Sequence, residues 1–241
     1  MTASSSHRTI EGHTLFSSDL NEERFVKVFL PLNYDDQQAY PILYCHDGNE
    51  FFTHGRIATI ATRMMEEGQL APFLIAGIAV SAKHRTEDYS LYGARNDQYV
   101  PFVGEQCIPF VESRYQIIKE ERYMAGISLG AVVTLLLHER YPDLFSRLLL
   151  FSTAFKDGVL KWLLQAEFSS DTRSYMLIGT EENAAKTPHG IFDFLTTNRA
   201  ALKILQQKGI SVTYEEEPGS HIWGFWQEHL PKALVWLQNG P

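Results

Sequence analysis

The first part of the chain shows short hydrophobic runs separated by short polar segments. Three runs are rich in Val, Ile, Leu, Phe and Tyr, and they cover residues 14–18, 24–32 and 40–46. Polar segments of a few residues lie between them, at 19–22 and 33–36. Such a pattern is typical of strands joined in hairpins, so we expect these three strands to be antiparallel.

Beyond about residue 46, continuous apolar strands alternate with segments that have helical spacing. The expected strands cover residues 73–80, 121–127, 147–151, 175–178 and 210–215. The expected helices cover residues 56–67, 100–115, 129–141, 159–168, 192–208 and 225–238. Gly68 and Pro142 stand where the first and third of these helices should end.

This alternation predicts an α/β fold. Strands that are apolar throughout and separated by helices indicate a parallel sheet covered by helices on both faces. Together with the three early strands, the sheet would have eight strands, antiparallel first and parallel afterwards. No repeat or Pro/Gly-rich linker divides the chain, so we expect one domain over residues 1–241. Ligands bind at the carboxyl ends of the strands in such sheets, and functional residues are expected there.

Composition and charge narrow the possible partners. Of 241 residues, 44% are hydrophobic and 21% are charged, which is typical of a folded globular protein. Twenty-one Lys and Arg residues against 29 Asp and Glu residues give a net charge of −8, so we expect no nucleic-acid partner. The two cysteines, Cys45 and Cys107, make no disulfide framework, and no Cys/His cluster has the spacing of a zinc site.

The chain lacks the sequence pattern of a secretory signal or a membrane helix. Residues 1–12 are polar and Ser-rich, without the apolar stretch of a signal. The longest apolar run, at 71–80, is about half of the ~20 residues that a membrane helix needs. We therefore expect a cytoplasmic protein that does not enter a membrane.

A Gly-Ile-Ser-Leu-Gly segment at positions 126–130 lies between a predicted strand and a predicted helix. This is the Gly-x-Ser-x-Gly motif in the strand–turn–helix context that presents a nucleophile. The turn is so tight that bulky residues two positions before or after the serine would clash. The serine hydroxyl then projects near the positive end of the following helix. Ser128 is therefore the candidate nucleophile.

A serine hydroxyl needs a general base, and histidine is the usual one. Of the nine histidines, His221 is the one that follows the last predicted strand and precedes the last predicted helix. From that loop its ring can reach across the carboxyl edge of the sheet to Ser128. The order serine, acid, histidine along the chain also fits His221.

The acid of such a site should follow the strand predicted at 175–178, where Glu181 and Glu182 lie. One of these carboxylates would accept the Nδ1–H of the histidine and hold the ring in the correct tautomer. We favour Glu182, because the third position after the glycine often carries the acid in this arrangement. Glu181 and, after the preceding strand, Asp157 are the alternatives.

Two backbone N–H groups should stabilise the oxyanion of the tetrahedral intermediate. The first is that of Leu129, the residue after the serine. The second would come from the loop after the third strand, where the N–H of Asn49, or of Gly48, is the candidate. We expect Gly48 to let the backbone approach the substrate.

Four segments carry a resemblance to a known family. They are residues 40–49, ending in His-Asp-Gly-Asn; residues 124–130, Met-Ala-Gly-Ile-Ser-Leu-Gly; residues 141–145, Tyr-Pro-Asp-Leu-Phe; and residues 219–226, Gly-Ser-His-Ile-Trp-Gly-Phe-Trp. Over most of its length the chain resembles the alpha/beta-hydrolase "putative esterase" family, which includes S-formylglutathione hydrolase, feruloyl esterase and enterochelin esterase. The resemblance implies an esterase without metal or organic cofactor, with Ser128 as nucleophile, His221 as base and Glu182 as acid.

The residues and the resemblance together predict a serine carboxylic ester hydrolase that acts through an acyl-enzyme on a small-molecule ester. No long insertion follows the sixth strand, so we expect no large lid and a substrate that is short or soluble. Residues 219–226 resemble enterochelin-esterase-like members, which makes a siderophore trilactone esterase an alternative. A thioesterase, a peptidase or an acyltransferase with the same triad is a further alternative, and a non-catalytic binding module on the same fold is the alternative from another class.

Several further residues fall in or beside the predicted site loops. Five of them are aromatic, and we expect at least half of these to belong to the core and the others to line a pocket. They are Phe51, Phe52, Phe155, Trp223 and Trp226. Arg85 and Arg95, in the loop after the fourth strand, are the cations that would offset the acidic charge near a substrate.

Overall fold

The computed structural model describes residues 8–156, 158–187 and 190–240, and ten strands lie within these ranges. They are β1 (Thr9–Ser17), β2 (Glu22–Leu30), β3 (Tyr40–Cys45), β4 (Leu74–Ile78), β5 (Ile117–Ile127), β6 (Arg147–Phe151), β7 (Arg173–Gly179), β8 (Ala185–Thr187), β9 (Gly190–Phe192) and β10 (Ser211–Glu217). Eight of them form one sheet in the order β1-β2-β4-β3-β5-β6-β7-β10. The other two, β8 and β9, form a separate antiparallel hairpin.

The strand directions confirm a mostly parallel sheet with an antiparallel edge. The pairs β1–β2 and β2–β4 are antiparallel, and the pairs from β4 to β10 are parallel. The predicted hairpin between the second and third strands is wrong, because β4 lies between β2 and β3. β2 ends at Leu30, two residues earlier than expected, and the connection 31–39 is longer than a usual hairpin loop of two to about five residues.

Helices are present in all six predicted regions, with ends shifted by a few residues. The described helices are α1 (Gly48–Thr53), α2 (Ile57–Glu66), α3 (Arg85–Tyr89), α4 (Asn96–Pro101), a π-helix (Phe102–Cys107), α5 (Ile108–Glu112), α6 (Leu129–Arg140), α7 (Val159–Gln165), a 3₁₀ turn (Glu182–Ala184), α8 (Phe194–Gln207) and α9 (Trp223–Asn239). The short elements α1, α3 and the β8–β9 hairpin were not predicted, because a few residues carry too little periodicity to be recognised.

Two apolar layers, one on each face of the sheet, form the core. Strand residues alternate between the faces, as Ile42 and Tyr44 do on one side and Leu43 and Cys45 on the other. The first face packs against α4 to α8, and the second packs against α1, α2 and α9. Helix α6 is buried along nearly its whole length, which holds its first residues rigidly at the centre of the sheet edge.

Cys45 and Cys107 are both buried and free, as the sequence predicts. Gly68, at φ +71°, follows Glu67, the C-terminal cap of α2, so its predicted position at the end of this helix is confirmed. Within the described ranges, no helix combines the length and the hydrophobicity that crossing a membrane requires.

Candidate active site

Ser128 lies on a sharp turn between β5 and α6. Its backbone has φ 57° and ψ −118°, a strained conformation for a residue with a side chain. A Cβ atom on Gly126 would lie 2.1 Å from the carbonyl oxygen of Gly130, and one on Gly130 would lie 3.0 Å from Oδ2 of Asp47. The turn therefore needs a glycine at 126 and leaves little room at 130, which explains the Gly-x-Ser-x-Gly spacing.

The His221 ring connects Ser128 with a buried carboxylate. Its Nε2 lies 3.1 Å from Ser128 Oγ, and its Nδ1 lies 2.7 Å from Oε2 of Glu182. Glu182 is fully buried, whereas the His221 side chain is 13% exposed. The structure thus brings together the three side chains that the sequence selects, although they are 93 and 39 residues apart along the chain.

The two alternative acids are placed differently. Glu181 is exposed, and its carboxylate accepts a hydrogen bond from the hydroxyl of Ser220 rather than from His221. Asp157 lies outside the described residues. Of the two glutamates in the loop, only Glu182 therefore contacts the histidine.

A second hydrogen-bond layer holds Glu182. Its Oε1 accepts from the Ser152 hydroxyl at 2.6 Å and from the Gly179 N–H at 3.0 Å. The Trp226 indole N–H in turn donates to Ser152 Oγ at 2.8 Å. Because Ser152 both donates and accepts, its hydroxyl hydrogen is directed at the carboxylate. Sequence analysis gave Ser152 no role, although its position directly after β6 is the signal that selected the other site residues.

Replacing Ser152 by Ala should lower both stability and activity. The change leaves the buried Trp226 N–H without its acceptor, which costs about 1–3 kcal/mol in the free energy of unfolding. It also loosens Glu182, so we expect kcat for ester hydrolysis to fall roughly tenfold or more. Urea unfolding and steady-state kinetics on the purified variant measure the two effects.

Ser174 offers a matched control for this prediction. It is also buried, but among the described residues its hydroxyl has no hydrogen-bond partner. Ser174→Ala should therefore leave stability unchanged within about 0.5 kcal/mol, with unaltered kcat. Equal effects of the two substitutions would show that the Ser152 hydrogen bonds do not matter.

Aromatic rings fix the orientation of the His221 ring. The Phe194 ring stacks on it with centroids 4.7 Å apart, and the Trp226 ring meets it edge-on at 5.0 Å. Trp223 packs against Trp226 at 5.5 Å. The contribution of Phe194 was missed because it begins a helix on the far side of a loop, where nothing in the local sequence indicates a contact with residue 221.

The backbone donors expected for an oxyanion lie at the starts of two helices. Leu129 is the first residue of α6, and the N–H groups of a first helical turn have no intrahelical acceptor. Gly48 and Asn49 begin α1 after Asp47, which has the left-handed conformation with φ 53°. A Cβ on Gly48 would lie 2.1 Å from the backbone of Gly77, so this glycine permits close packing of α1 on β4. The structure thus shows Gly48 packing against Gly77, and the expected approach of the Gly48 backbone to a substrate stays a prediction.

Arg85 fixes the loop that precedes α1. Its Nε and Nη2 bind the two carboxylate oxygens of Asp47 at 2.6 and 2.8 Å, and its guanidinium lies over the Tyr89 ring. The Tyr89 hydroxyl accepts the Asp47 N–H at 3.0 Å. Burial disfavours the charge on Arg85, but the Asp47 carboxylate more than offsets this and raises the pKa of the guanidinium. Arg95 instead pairs with Glu22 and Asp88.

His46 ends the third predicted strand, yet it is structural. Its side chain is fully buried, and Nδ1 lies 3.0 Å from the Tyr99 hydroxyl, while Nε2 has no described partner. Burial, with a smaller contribution from the charge of Arg85, lowers the pKa of His46 from 6.5 to about 3. The ring is therefore neutral and cannot take up a proton without loss of stability.

This shift predicts an acid-dependent loss of stability. Below about pH 6.5 the unfolded chain binds a proton at residue 46 that the native chain does not bind, so stability falls as the pH falls towards 3. By pH 4.5 the loss should reach about 2–3 kcal/mol. Urea unfolding at pH 7 and 4.5 should show a smaller loss in His46→Gln. Parallel losses in the two proteins would contradict the assignment.

The Ser128 and His221 side chains open into a cavity of about 360 Å³. Ser128, His221, Trp223, Trp226 and Phe194 line it, and Lys186 and Thr187 of the β8–β9 hairpin contribute to its wall. Of the five aromatic residues singled out in the sequence, Phe51 and Phe155 are core residues, and Phe52 is partly buried against the same apolar layer as Phe51. Trp223 and Trp226 line the cavity, and Trp226 also belongs to the core. The cavity-lining residues include Asp47 and Glu50, but not Asn49.

No cluster of three or more His, Cys, Asp and Glu side chains in the described ranges has the arrangement to hold a metal ion. The site described above consists of the hydrogen-bonded side chains of Ser128, His221 and Glu182, the starts of α1 and α6, and the aromatic walls. Its chemistry is that of a hydroxyl next to a histidine whose second nitrogen is held by a carboxylate.

The sheet order and the strand–turn–helix at Ser128 define an alpha/beta-hydrolase fold. The family model described as "Putative esterase" matches residues 17–237, so the chain belongs to this esterase family and is an ester hydrolase. The resemblance seen in the sequence is thereby confirmed.

Individual relatives agree with this membership. The uncharacterized protein YjcH of Bacillus subtilis (strain 168) is 30% identical over 230 residues, which cover 94% of this chain and 96% of that protein. A ferulic acid esterase structure superposes with a TM-score of 0.80 at 18% identity, covering 95% of this chain and 97% of that one. The enterobactin esterase FES of Shigella flexneri gives a TM-score of 0.79 at 18% identity over 95% of this chain and 59% of its own. The two structures support the fold.

Proposed function

We propose that this esterase is a serine carboxylic ester hydrolase in which Ser128, His221 and Glu182 form a catalytic triad. One observation carries the proposal: the His221 ring lies between Ser128 Oγ, at 3.1 Å, and the buried carboxylate of Glu182, at 2.7 Å. This is the contact pattern of a nucleophile, its general base and the group that orients the base.

The reaction follows from this arrangement. His221 Nε2 takes the proton of Ser128 as Oγ attacks the ester carbonyl carbon. The resulting imidazolium is stabilised by Glu182 and then protonates the oxygen of the leaving alcohol, which leaves an acyl-enzyme. The same histidine activates a water molecule that attacks the acyl group, and the carboxylic acid departs as Ser128 regains its proton.

The oxyanion is assigned to two backbone donors. We assign the first to the Leu129 N–H at the start of α6 and the second to the Asn49 N–H, with the Gly48 N–H as alternative. Leu129 directly follows Ser128, and Asp47, the residue before α1, lies against Gly130 of the same turn, so both helix starts are close to Ser128. The Arg85–Asp47 pair supports this assignment, because it holds the loop before α1 in a fixed conformation.

For the substrate we propose a short or soluble small-molecule ester. The segment between β6 and α7 is short, and no large lid covers the cavity among the described residues. A siderophore trilactone is the second candidate, because Trp223 and Trp226 of the enterochelin-esterase-like segment both line the cavity. Comparing the rates of hydrolysis of a siderophore trilactone and of simple p-nitrophenyl esters separates the two candidates.

A fluorophosphonate probe tests the serine mechanism. The probe should label the purified protein at Ser128, identified by peptide mass mapping, and labelling should abolish hydrolysis of p-nitrophenyl acetate. His221→Ala should label at least tenfold more slowly, because the base is missing. A protein that neither reacts with the probe nor hydrolyses any ester would be a binding module on the same fold.

A further inference from the structure

A second cavity lies next to the catalytic cavity, on the side of α3. Its volume is about 220 Å³. The two cavities share Leu129, Ala154 and Lys156 as lining residues, so they adjoin each other beside the residue that follows the nucleophile. A protein cavity of about 150 Å³ holds a benzene molecule, so the second cavity has room for one ring or a short alkyl chain.

The walls of the second cavity are largely apolar. Leu91, Tyr92 and Val159 complete the surface that Leu129 and Ala154 begin. The Tyr92 ring forms the outer wall, since it is 76% exposed and lies against the backbone at Gly158, where a Cβ would be 3.2 Å from the ring. Glu87 stands at the same cavity and pairs with His84 at 2.9 Å. Lys156 also lines the cavity, and its ammonium lies over the Phe192 ring. The remaining lining suits an uncharged, mainly apolar group.

The geometry at Ser128 decides which part of an ester reaches this cavity. The leaving oxygen must lie within hydrogen-bond distance of His221 Nε2, and the oxyanion must face the helix starts. Phe194 and Trp226, which enclose the His221 ring, line the catalytic cavity, whereas the described lining of the second cavity includes neither. The acyl group would therefore extend past Leu129 and Ala154, towards the second cavity.

We propose that the second cavity is the acyl-binding subsite, which takes an apolar acyl chain or ring larger than acetyl; this inference rests on the proposed serine mechanism. The subsite is rigidly placed relative to the nucleophile. Helix α3 forms one of its walls, and Arg85 and Tyr89 of the same helix both hold Asp47. A wall fixed in this way selects its ligand without rearrangement.

Two ester series test the assignment. In the first, p-nitrophenol is the constant leaving group and the acyl group is acetyl, pentanoyl or 3-phenylpropanoyl. In the second, acetyl is the constant acyl group and the alcohol is phenol, p-nitrophenol or 2-naphthol. The wild-type protein should hydrolyse the two large acyl esters with a kcat/KM at least roughly tenfold above that of the acetyl ester, as expected when additional methylenes are bound.

Two variants alter the subsite without touching the triad. Ser90 is half-buried and lines the second cavity, so Ser90→Phe is designed to fill part of that cavity with a ring. Tyr92→Ala removes the exposed outer wall with little risk to folding. Phe16→Ala is the matched control, because Phe16 is also an exposed aromatic residue, 62% exposed, on the edge strand β1.

We expect Ser90→Phe to lower kcat/KM for the large acyl esters at least tenfold and to leave the acetyl ester within about twofold. Tyr92→Ala should act in the same direction by a few-fold, and Phe16→Ala should change nothing. The subsite is overturned if both cavity variants leave the ratio of large to small acyl esters unchanged, or if the alcohol series responds instead. Failure of the serine mechanism looks different, because then the acetyl ester is not hydrolysed and the fluorophosphonate does not react.

Discussion

Ser128→Ala should lower kcat for p-nitrophenyl acetate by roughly 10⁴- to 10⁶-fold. Without Oγ no acyl-enzyme forms, and the remaining rate reflects water attacking an ester that the oxyanion donors and the cavity hold in place. Alanine keeps the Cβ atom, so the strained backbone at φ 57° should persist, and the melting temperature should change by only a few degrees. Stopped-flow and steady-state kinetics, with calorimetry on the same sample, measure both quantities.

Ser220→Ala is the control for this substitution. Ser220 is a half-buried serine directly before His221, but its hydroxyl binds the carboxylate of Glu181 and not the triad. Its removal should change kcat by less than about twofold. A folded Ser128→Ala protein that retains a tenth or more of the activity would mean that another group is the nucleophile, and the mechanism proposed above would be wrong.

Backbone strain is concentrated where the chemistry is proposed. Of the six non-glycine residues with positive φ in the described ranges, Asp47, Ser128 and Ser152 follow directly or closely after the carboxyl ends of β3, β5 and β6. These three strands are neighbours at the centre of the sheet. Such conformations cost of order 1–3 kcal/mol each and persist where the surroundings hold them, here the two buried layers and the hydrogen bonds of each residue.

The features that sequence predicted well are local in the chain. A tight strand–turn–helix requires glycine at fixed positions, so the turn around Ser128 is visible in five consecutive residues. The carboxyl-edge rule for parallel sheets then places the loops that carry Glu182 and His221 at the same edge. The proximity of these loops was therefore predictable, but the choice of Glu182 over Glu181 and Asp157 was not settled by the rule, and the catalytic roles of the three side chains remain predictions.

The features that sequence did not predict depend on pairing between distant segments. β4 lies between β2 and β3 in the sheet. The pattern of hydrophobic and polar residues does not show where the long connections between these strands lead. The bonds from Trp226 to Ser152, and from Ser152 to Glu182, join residues 74 and 30 positions apart. The second cavity arises where a segment after α3 faces the start of α7, and short irregular segments carry no periodicity that would place them.

Glu182 positions His221 through its carboxylate charge. A side chain of the same shape without that charge would keep the hydrogen bonds of Oε1 but would not accept from His221. Oε1 already accepts from the Ser152 hydroxyl and the Gly179 N–H. In a Glu182→Gln protein these two donors should hold the amide oxygen at that place, and the amide NH₂ would then face His221 Nδ1. The ring would respond by carrying its proton on Nε2, where it donates to Ser128 instead of accepting from it.

Glu182→Gln should consequently lower kcat by about 10⁴-fold, as expected for a histidine held in the wrong tautomer, while the folded structure is retained. Glu181→Gln, the same substitution one residue earlier on an exposed side chain, should leave kcat within about twofold. Kinetics on both variants and urea unfolding of each provide the comparison. If Glu182→Gln kept more than a tenth of the activity while Glu181→Gln lost it, the acid would be Glu181, and the loop would have to rearrange to bring that carboxylate to His221.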